Sequence, residues 1–291
     1  MAQSPTLLFC VGATKAGTSW LYSYFAGHPA FYLRSVKELH YFYAHETEAS
    51  WPLTWLKNHI AEFREDIPGT SAERAAYRTV RLRDCRELAK LLRNPLDEEA
   101  YVAYLTRWRA NQAVVGDFSP SYGLLSTERL RAMARILPDV RFLFVMRDPV
   151  ARLWSNVRMI AQRRDPKGGF EAQSAADILD QVLTGGEIEM AQRSDYRGII
   201  ERLQAAVVPS QLKISVYEEL LSGPGLRDLC GFLDIAPHDA DLSKRVHEGV
   251  ALEMTPKQCA AAYTWLLPQY KFVEQMMGQL PPSWQRTPAE A

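Results

Sequence analysis

The chain has no excess of either charge. Its 291 residues hold 34 Lys and Arg against 34 Asp and Glu. A general nucleic-acid binder usually carries a basic surplus, so no nucleic-acid partner is expected. Cysteine is scarce. Cys10, Cys85, Cys230 and Cys259 include no C-x-x-C pair, which argues against a zinc or iron–sulfur site, and no metal is expected. No run of about 18 apolar residues occurs, so no transmembrane segment is expected. Met1 to Pro5 lacks a basic n-region, and the apolar stretch Leu7 to Val11 is too short for a signal peptide. These absences predict a cytoplasmic protein. No internal repeat and no long linker divides residues 1–291, which are read as one domain. What remains is ordinary globular composition, 47% hydrophobic and 23% charged. Neutrality does not exclude a small anionic ligand, because a pocket needs only a few well-placed cations. The oligomeric state is left open.

Hydrophobic patterning gives the fold class. Thr6 to Val11 is a continuous apolar run closed by Gly12, the mark of a strand buried on both faces. Phe31 to Leu33, Ala113 to Asp117, Arg141 to Met146 and Leu212 to Val216 read as further strands. Helical stretches lie between them: Thr18 to Gly27, Trp55 to Phe63, 71–93, Asp97 to Asn111, and Ser126 to Leu137. Others open at Asp148-Pro149 or cover 174–184, 194–206, 225–234 and 257–278. Asp165 to Gly169 reads as a loop. Strands alternating with helices predict an α/β protein: a central parallel sheet between two helical layers. The helical block at about 43–111 is read as an insertion. Its aromatics Tyr101, Tyr104 and Trp108 have helical spacing and are expected in the core.

The first strand-to-helix junction is Gly12-Ala13-Thr14-Lys15-Ala16-Gly17-Thr18-Ser19. Free backbone N–H groups at a helix start, with the helix dipole behind them, suit an anion. Glycines let the backbone approach closely. Lys15 adds a full charge; Thr18 and Ser19 add hydroxyls. The Walker A pattern places Lys directly after the second glycine. Here that position is Thr18 and the lysine sits inside the loop, which disfavours an ATP or GTP hydrolase. A second junction, Met146 to Ser155, puts Arg147 at a strand end and Ser155 about two turns into the next helix. Arg147 offers a planar fork for phosphate oxygens or a partner for Asp148. Arg152 is assigned to the outer face of that helix. Two anion sites at two strand ends suggest a nucleotide with phosphates at both ends.

Together these residues resemble the sulfotransferases that use 3′-phosphoadenosine 5′-phosphosulfate (PAPS). Gly12 to Ser19 is similar to that family's 5′-phosphosulfate loop, and Arg147 to Ser155 to its 3′-phosphate motif. Val36 to Phe42, Gly116 to Tyr122, and Asp195 to Gly198 are similar to segments of the branch containing the heparan sulfate sulfotransferases and many bacterial homologues. The matches run in the family's order from residue 7 to about 235. The resemblance implies a P-loop-like three-layer fold and PAPS as co-substrate, with no metal. It implies donor binding by Thr14, Lys15, Ala16, Gly17, Thr18, Ser19, Arg147, Ser155, Tyr196 and Arg197. It gives catalytic roles to Lys15, Glu38 and His40. Glu38 is the first choice of general base and His40 the second; alternation along a strand would place both on one side. Ser119 and Tyr122 are expected to line the donor or acceptor pocket.

The acceptor would be a hydroxyl or amine of a carbohydrate or small metabolite. Its shape would be set by the insertion, the Asp165–Gly169 loop and the C-terminal helices. Three departures speak against a heparan-like polyanion. Phe118 replaces a lysine before the Ser-Pro. Tyr43 stands where some members have Asp. Val250 to Pro256 has no cation. Two other readings stay open: a P-loop small-molecule kinase using ATP and Mg²⁺, and a catalytically silent nucleotide-binding protein.

Overall fold

The computed structural model describes residues 4–64, 71–165, 172–240 and 251–285. The loop expected at 166–169, and Val250, lie outside them. In chain order the elements are β1 (Thr6–Gly12), α1 (Thr18–Ala26), β2 (Phe31–Tyr32), α2 (Tyr41–Thr47), α3 (Trp51–Arg64), α4 (Ala72–Leu91), α5 (Glu98–Thr106) and β3 (Val114–Asp117). Then follow α6 (Thr127–Met133), β4 (Val140–Met146), α7 (Pro149–Arg164), α8 (Ala172–Leu183), α9 (Ile188–Ser194) and α10 (Tyr196–Ala206). The chain continues with β5 (Leu212–Val216), α11 (Tyr217–Leu220), α12 (Gly223–Phe232) and α13 (Pro256–Met277).

One five-stranded sheet has the order β2-β3-β1-β4-β5. Each neighbouring pair is parallel, with Leu7 opposite Val115 and Val140, and Phe144 opposite Ile214. Leu7 through Val11 have no exposed surface. That is why β1 reads as an unbroken apolar run: helices cover both of its faces. From β1 the chain runs first to the edge strand β2, returns to β3 beside β1, then crosses to β4 and β5 on the other side. The carboxyl ends of β1, β3, β4 and β5 therefore meet along one edge, where open α/β sheets bind ligands.

Helices α2 to α5 lie between β2 and β3 and are held by aromatic packing on β1. Phe9 contacts Phe42, Tyr101, Tyr122 and Phe142 at centroid distances of 5.9, 6.4, 6.1 and 5.3 Å. An ion cluster fixes the same block from the other side: Arg34, 2% exposed, donates to Asp84 at 2.9 Å and also to Glu87, both on α4.

Several boundaries differ from the sequence reading. The helix expected over Asp97 to Asn111 stops at Thr106, which leaves Trp108 48% exposed with the Arg83 guanidinium 4.4 Å above its ring. Trp108 is thus outside the core, while Tyr101 and Tyr104 are inside it. The helix expected over 194–206 is α10, which starts at Tyr196 because the Asp195 carboxylate accepts from the N–H of Gly198 and caps it; a separate helix, α9, precedes it. Such a cap typically contributes about 1 kcal/mol. Three cysteines are buried and Cys259 is half-buried. Among the described residues no helix is long and apolar enough to cross a membrane.

Candidate active site

The β1–α1 loop has two left-handed residues at the start of α1. Gly17 caps α1 at φ 78°, with no side chain on the first N–H groups. Lys15 is also left-handed, at φ 72°. Ala16 and Thr18 are buried, while Thr14, Lys15 and Ser19 are half-buried along the rim. A Cβ on Gly17 would lie 2.2 Å from the Tyr217 ring. Gly17→Ala is therefore expected to lower the melting temperature. The left-handed backbone costs a non-glycine residue about 1–2 kcal/mol, and the ring contact adds to that. The double variant Gly17→Ala/Tyr217→Ala should show positive recovery relative to the sum of the singles in thermal denaturation, because only the clash is relieved.

Arginines converge on this loop from three elements. Arg147, at the end of β4, donates from Nη1 to the Lys15 carbonyl at 3.2 Å, and its guanidinium lies 5.4 Å from the Tyr217 ring centroid. Arg193, on α9, donates to Thr14 Oγ1 at 2.7 Å. Arg152 is not on the outer face of α7. It has no exposed surface, and it donates to the Thr14 carbonyl at 3.4 Å and to the Ser194 hydroxyl. Its Nε has no partner. Burial, then the charges of Arg193 and Arg147, push its pKa down to about 10. Burial first, and then Arg163, Arg147 and Arg158, also lower the Lys15 ammonium, against a smaller opposing effect of Glu38. Asp148 helps aim this group: it caps α7 at the Ala151 N–H, 2.8 Å, and accepts from Tyr270 OH at 2.6 Å. Ser155 is half-buried on α7.

The other expected donor residues lie elsewhere. Tyr196 is fully buried, and its hydroxyl donates to the Arg147 carbonyl at 2.7 Å and accepts from the Arg147 N–H at 3.2 Å. It fixes the end of β4 and presents no surface to a ligand. Arg197 is on the exterior, paired with Glu201 at 2.8 Å.

Glu38 and His40 do meet, but no strand brings them together. Residues 33–40 form an irregular segment in which both have positive φ, 63° and 51°. Glu38 Oε2 lies 3.4 Å from His40 Nε2, and Lys37 binds the other carboxylate oxygen. Burial alone would raise the Glu38 carboxyl. The Lys37 charge and the His40 hydrogen bond outweigh it and hold the group well below the usual carboxylate range. His40 Nδ1 lies 2.8 Å from Ser121 Oγ, and its backbone N–H donates to Ser119 Oγ at 3.1 Å.

Ser119 and Tyr122, expected along a pocket, are both completely buried. With Tyr101 they donate to Asp117 at 2.5, 2.7 and 2.7 Å. Burial raises the Asp117 carboxyl and these three hydroxyl donors partly offset the rise. Asp117 thus anchors β3, α5 and, through Ser119, the backbone of His40. A cavity of about 390 Å³ between Leu91 and Ala100 contains none of these residues.

Sequence reading misplaced Arg152 and missed Arg193 and Tyr217. Tyr217 immediately follows β5, so the strand-end rule that found Arg147 would also have found it. Arg193 had no local signal, because α9 was not expected as a separate helix.

A parallel sheet with a glycine-bounded, arginine-backed loop at its carboxyl edge defines an α/β protein of P-loop-like topology. The family is narrower than that class: residues 5–239 match the model of the Sulfotransferase family, and the chain belongs to it. The fold is similar to the crystal structure of a sulfotransferase from Alicyclobacillus acidocaldarius, with a TM-score of 0.64 and 23% identity, covering 98% of this chain and 100% of that one. It is also similar to the sulfotransferase domain of the Synechococcus PCC 7002 olefin synthase, with a TM-score of 0.53 and 20% identity over 96% of this chain and 97% of that one. The sulfotransferase domain from the curacin biosynthetic pathway aligns with a TM-score of 0.53 and 17% identity over 97% of this chain and 100% of that one. No curated protein matches the chain in sequence.

Proposed function

We propose that the protein transfers a sulfuryl group from PAPS to a hydroxyl or amine of a carbohydrate or small metabolite. One observation carries the reading: Lys15, Arg147, Arg152 and Arg193 gather around a single loop, and the guanidinium of Arg152 is buried with only uncharged hydrogen-bond partners. Such a cluster fits a ligand that brings several negative charges.

The loop N–H groups from Ala16 to Ser19, with the Thr18 and Ser19 hydroxyls, hold the 5′-phosphate. Arg147 and Ser155 take the 3′-phosphate. Lys15 stabilises the sulfuryl oxygens and the departing phosphate oxygen. The acceptor oxygen or nitrogen bonds to sulfur while the bond from sulfur to the 5′-phosphate oxygen breaks, its electron pair remaining on the phosphate. The acceptor's proton goes to the Glu38 carboxylate. In the ligand-free protein Lys37 and His40 hold that carboxyl low. A polyanionic donor beside it opposes that effect and raises it toward a useful base. His40 orients Glu38, and Asp117 holds His40 through Ser119.

Calorimetric titration with the desulfated product, 3′-phosphoadenosine 5′-phosphate (PAP), tests the reading. PAP is expected to bind without Mg²⁺ and more tightly than ATP. Tighter binding of ATP with Mg²⁺ would assign the site to a kinase. No nucleotide binding at all would end the proposal.

A further inference from the structure

The insertion places two partly accessible aromatic rings beside the Glu38–His40 pair. Trp51 opens α3, and its ring stands edge-on to His40 at 4.6 Å, while 44% of the residue remains exposed. The sequence offered no reason to separate it from the other aromatics of the insertion. Tyr43 on α2 is half-buried, with its ring 6.4 Å from Trp51. The charges of Glu189 and Arg193 act on the Tyr43 hydroxyl, and Arg193 in turn reaches Thr14 of the anion loop at 2.7 Å. The Trp51 ring thus lies between His40 and Tyr43.

Some aromatics in and beside this block are accounted for by burial, while Tyr77 on α4 is exposed. Phe42, Tyr101 and Tyr104 are in the core. Trp108 is covered in part by Arg83. Trp51 has His40 on one side and an open surface on the other. An exposed indole beside the proposed base is a surface on which a flat apolar group can stack. Around it the hydrogen-bonding groups are already engaged: Lys37 with Glu38, and His40 with Glu38 and Ser121. Among the described residues the cation beside the pair, Lys37, is already bound by Glu38.

We infer that Trp51, with Tyr43, forms the acceptor subsite, and that the acceptor carries its reacting hydroxyl beside a flat, uncharged apolar face. This rests on the sulfuryl-transfer reading above. An arene and the C–H face of a sugar ring share that chemistry. Stacking on Trp51 would hold such a ring while its hydroxyl points at Glu38.

The test uses the full chain saturated with PAP, with two probes followed by ligand-observed NMR: 2-naphthol for the arene and methyl β-D-glucopyranoside for the sugar. At least one probe is expected to bind the wild type, about tenfold more weakly to Trp51→Ala, and within about threefold of wild type to Trp51→Phe. The probe that responds identifies the source of the flat face. Equal binding to wild type and Trp51→Ala, or no binding of either probe, overturns the subsite. PAP affinity is measured on the same samples. Loss of PAP binding only in Trp51→Ala also overturns the subsite, by placing Trp51 in the donor site or the fold. Failure of PAP to bind the wild type instead removes the sulfuryl-transfer reading beneath it.

Discussion

Lys15→Ala is expected to leave the fold intact and to reduce sulfuryl transfer by about 10²–10³-fold or more, the cost of losing a preorganised group that meets developing charge. PAP affinity should fall far less. The contrast follows from position. Arg147, Arg152 and Arg193 enter from β4, α7 and α9 and grip the loop's own carbonyls and hydroxyl. Lys15 is the loop's own cation, half-buried at its rim. The arginines' positive charge and the α1 N-terminus persist without it, so the ground-state nucleotide is still held. Single-turnover kinetics with labelled PAPS and calorimetry with PAP separate the two quantities. Equal losses in both would make Lys15 a binding group only.

Glu38→Gln is expected to cut turnover by about 10²–10⁴-fold, the usual contribution of a positioned base, with PAP affinity kept. The pH dependence has a definite sign. The Glu38 carboxyl is held below its ordinary value, so in the free enzyme it stays ionised as pH falls through that ordinary range. The acid limb of kcat/KM for the donor should therefore lie below about pH 4 to 5. Bound donor raises the carboxyl, so the acid limb of kcat should sit at higher pH than that of kcat/KM. Lys37→Ala should move the kcat/KM limb upward, because the largest opposing charge is gone. A limb near neutrality that survives in Glu38→Gln would assign the base to an imidazole instead.

The elements that were legible in the sequence are those governed by one local rule. β1 and β4 read correctly because burial on both faces leaves an uninterrupted apolar run. The start of α7 read correctly because Asp148 caps it and Pro149 occupies its first turn. The β1–α1 loop was legible from two glycines and a lysine at the right spacing. Residues whose role depends on distant packing were not. Arg152 was assigned to the outside by helical position, yet Thr14 and Ser194, 138 and 42 residues away, enclose it. Ser119 and Tyr122 carried the right motif and were assigned the wrong surface. Nothing local announces that Asp117 collects both hydroxyls beneath the sheet edge. Glu38 and His40 were paired by an alternation rule that does not apply, since both adopt left-handed backbone. The pairing itself is set by that bend.

Arg152 has a consequence for the whole cycle. Its partners are a carbonyl and a hydroxyl, and the nearest charges acting on it include two more arginines. The folded chain alone concentrates this positive charge; an unfolded chain disperses it in water. Any polyvalent anion that fits the loop therefore stabilises the native state by mass action, inorganic sulfate and phosphate included. The thermal stability of the protein becomes a property of its buffer. On the proposed reading the same attraction would act on the spent nucleotide, which retains both phosphates after the sulfuryl group has gone. A site that, on that reading, draws its donor in by local charge also binds the desulfated product by that charge, so PAP is expected to compete with PAPS for the free enzyme.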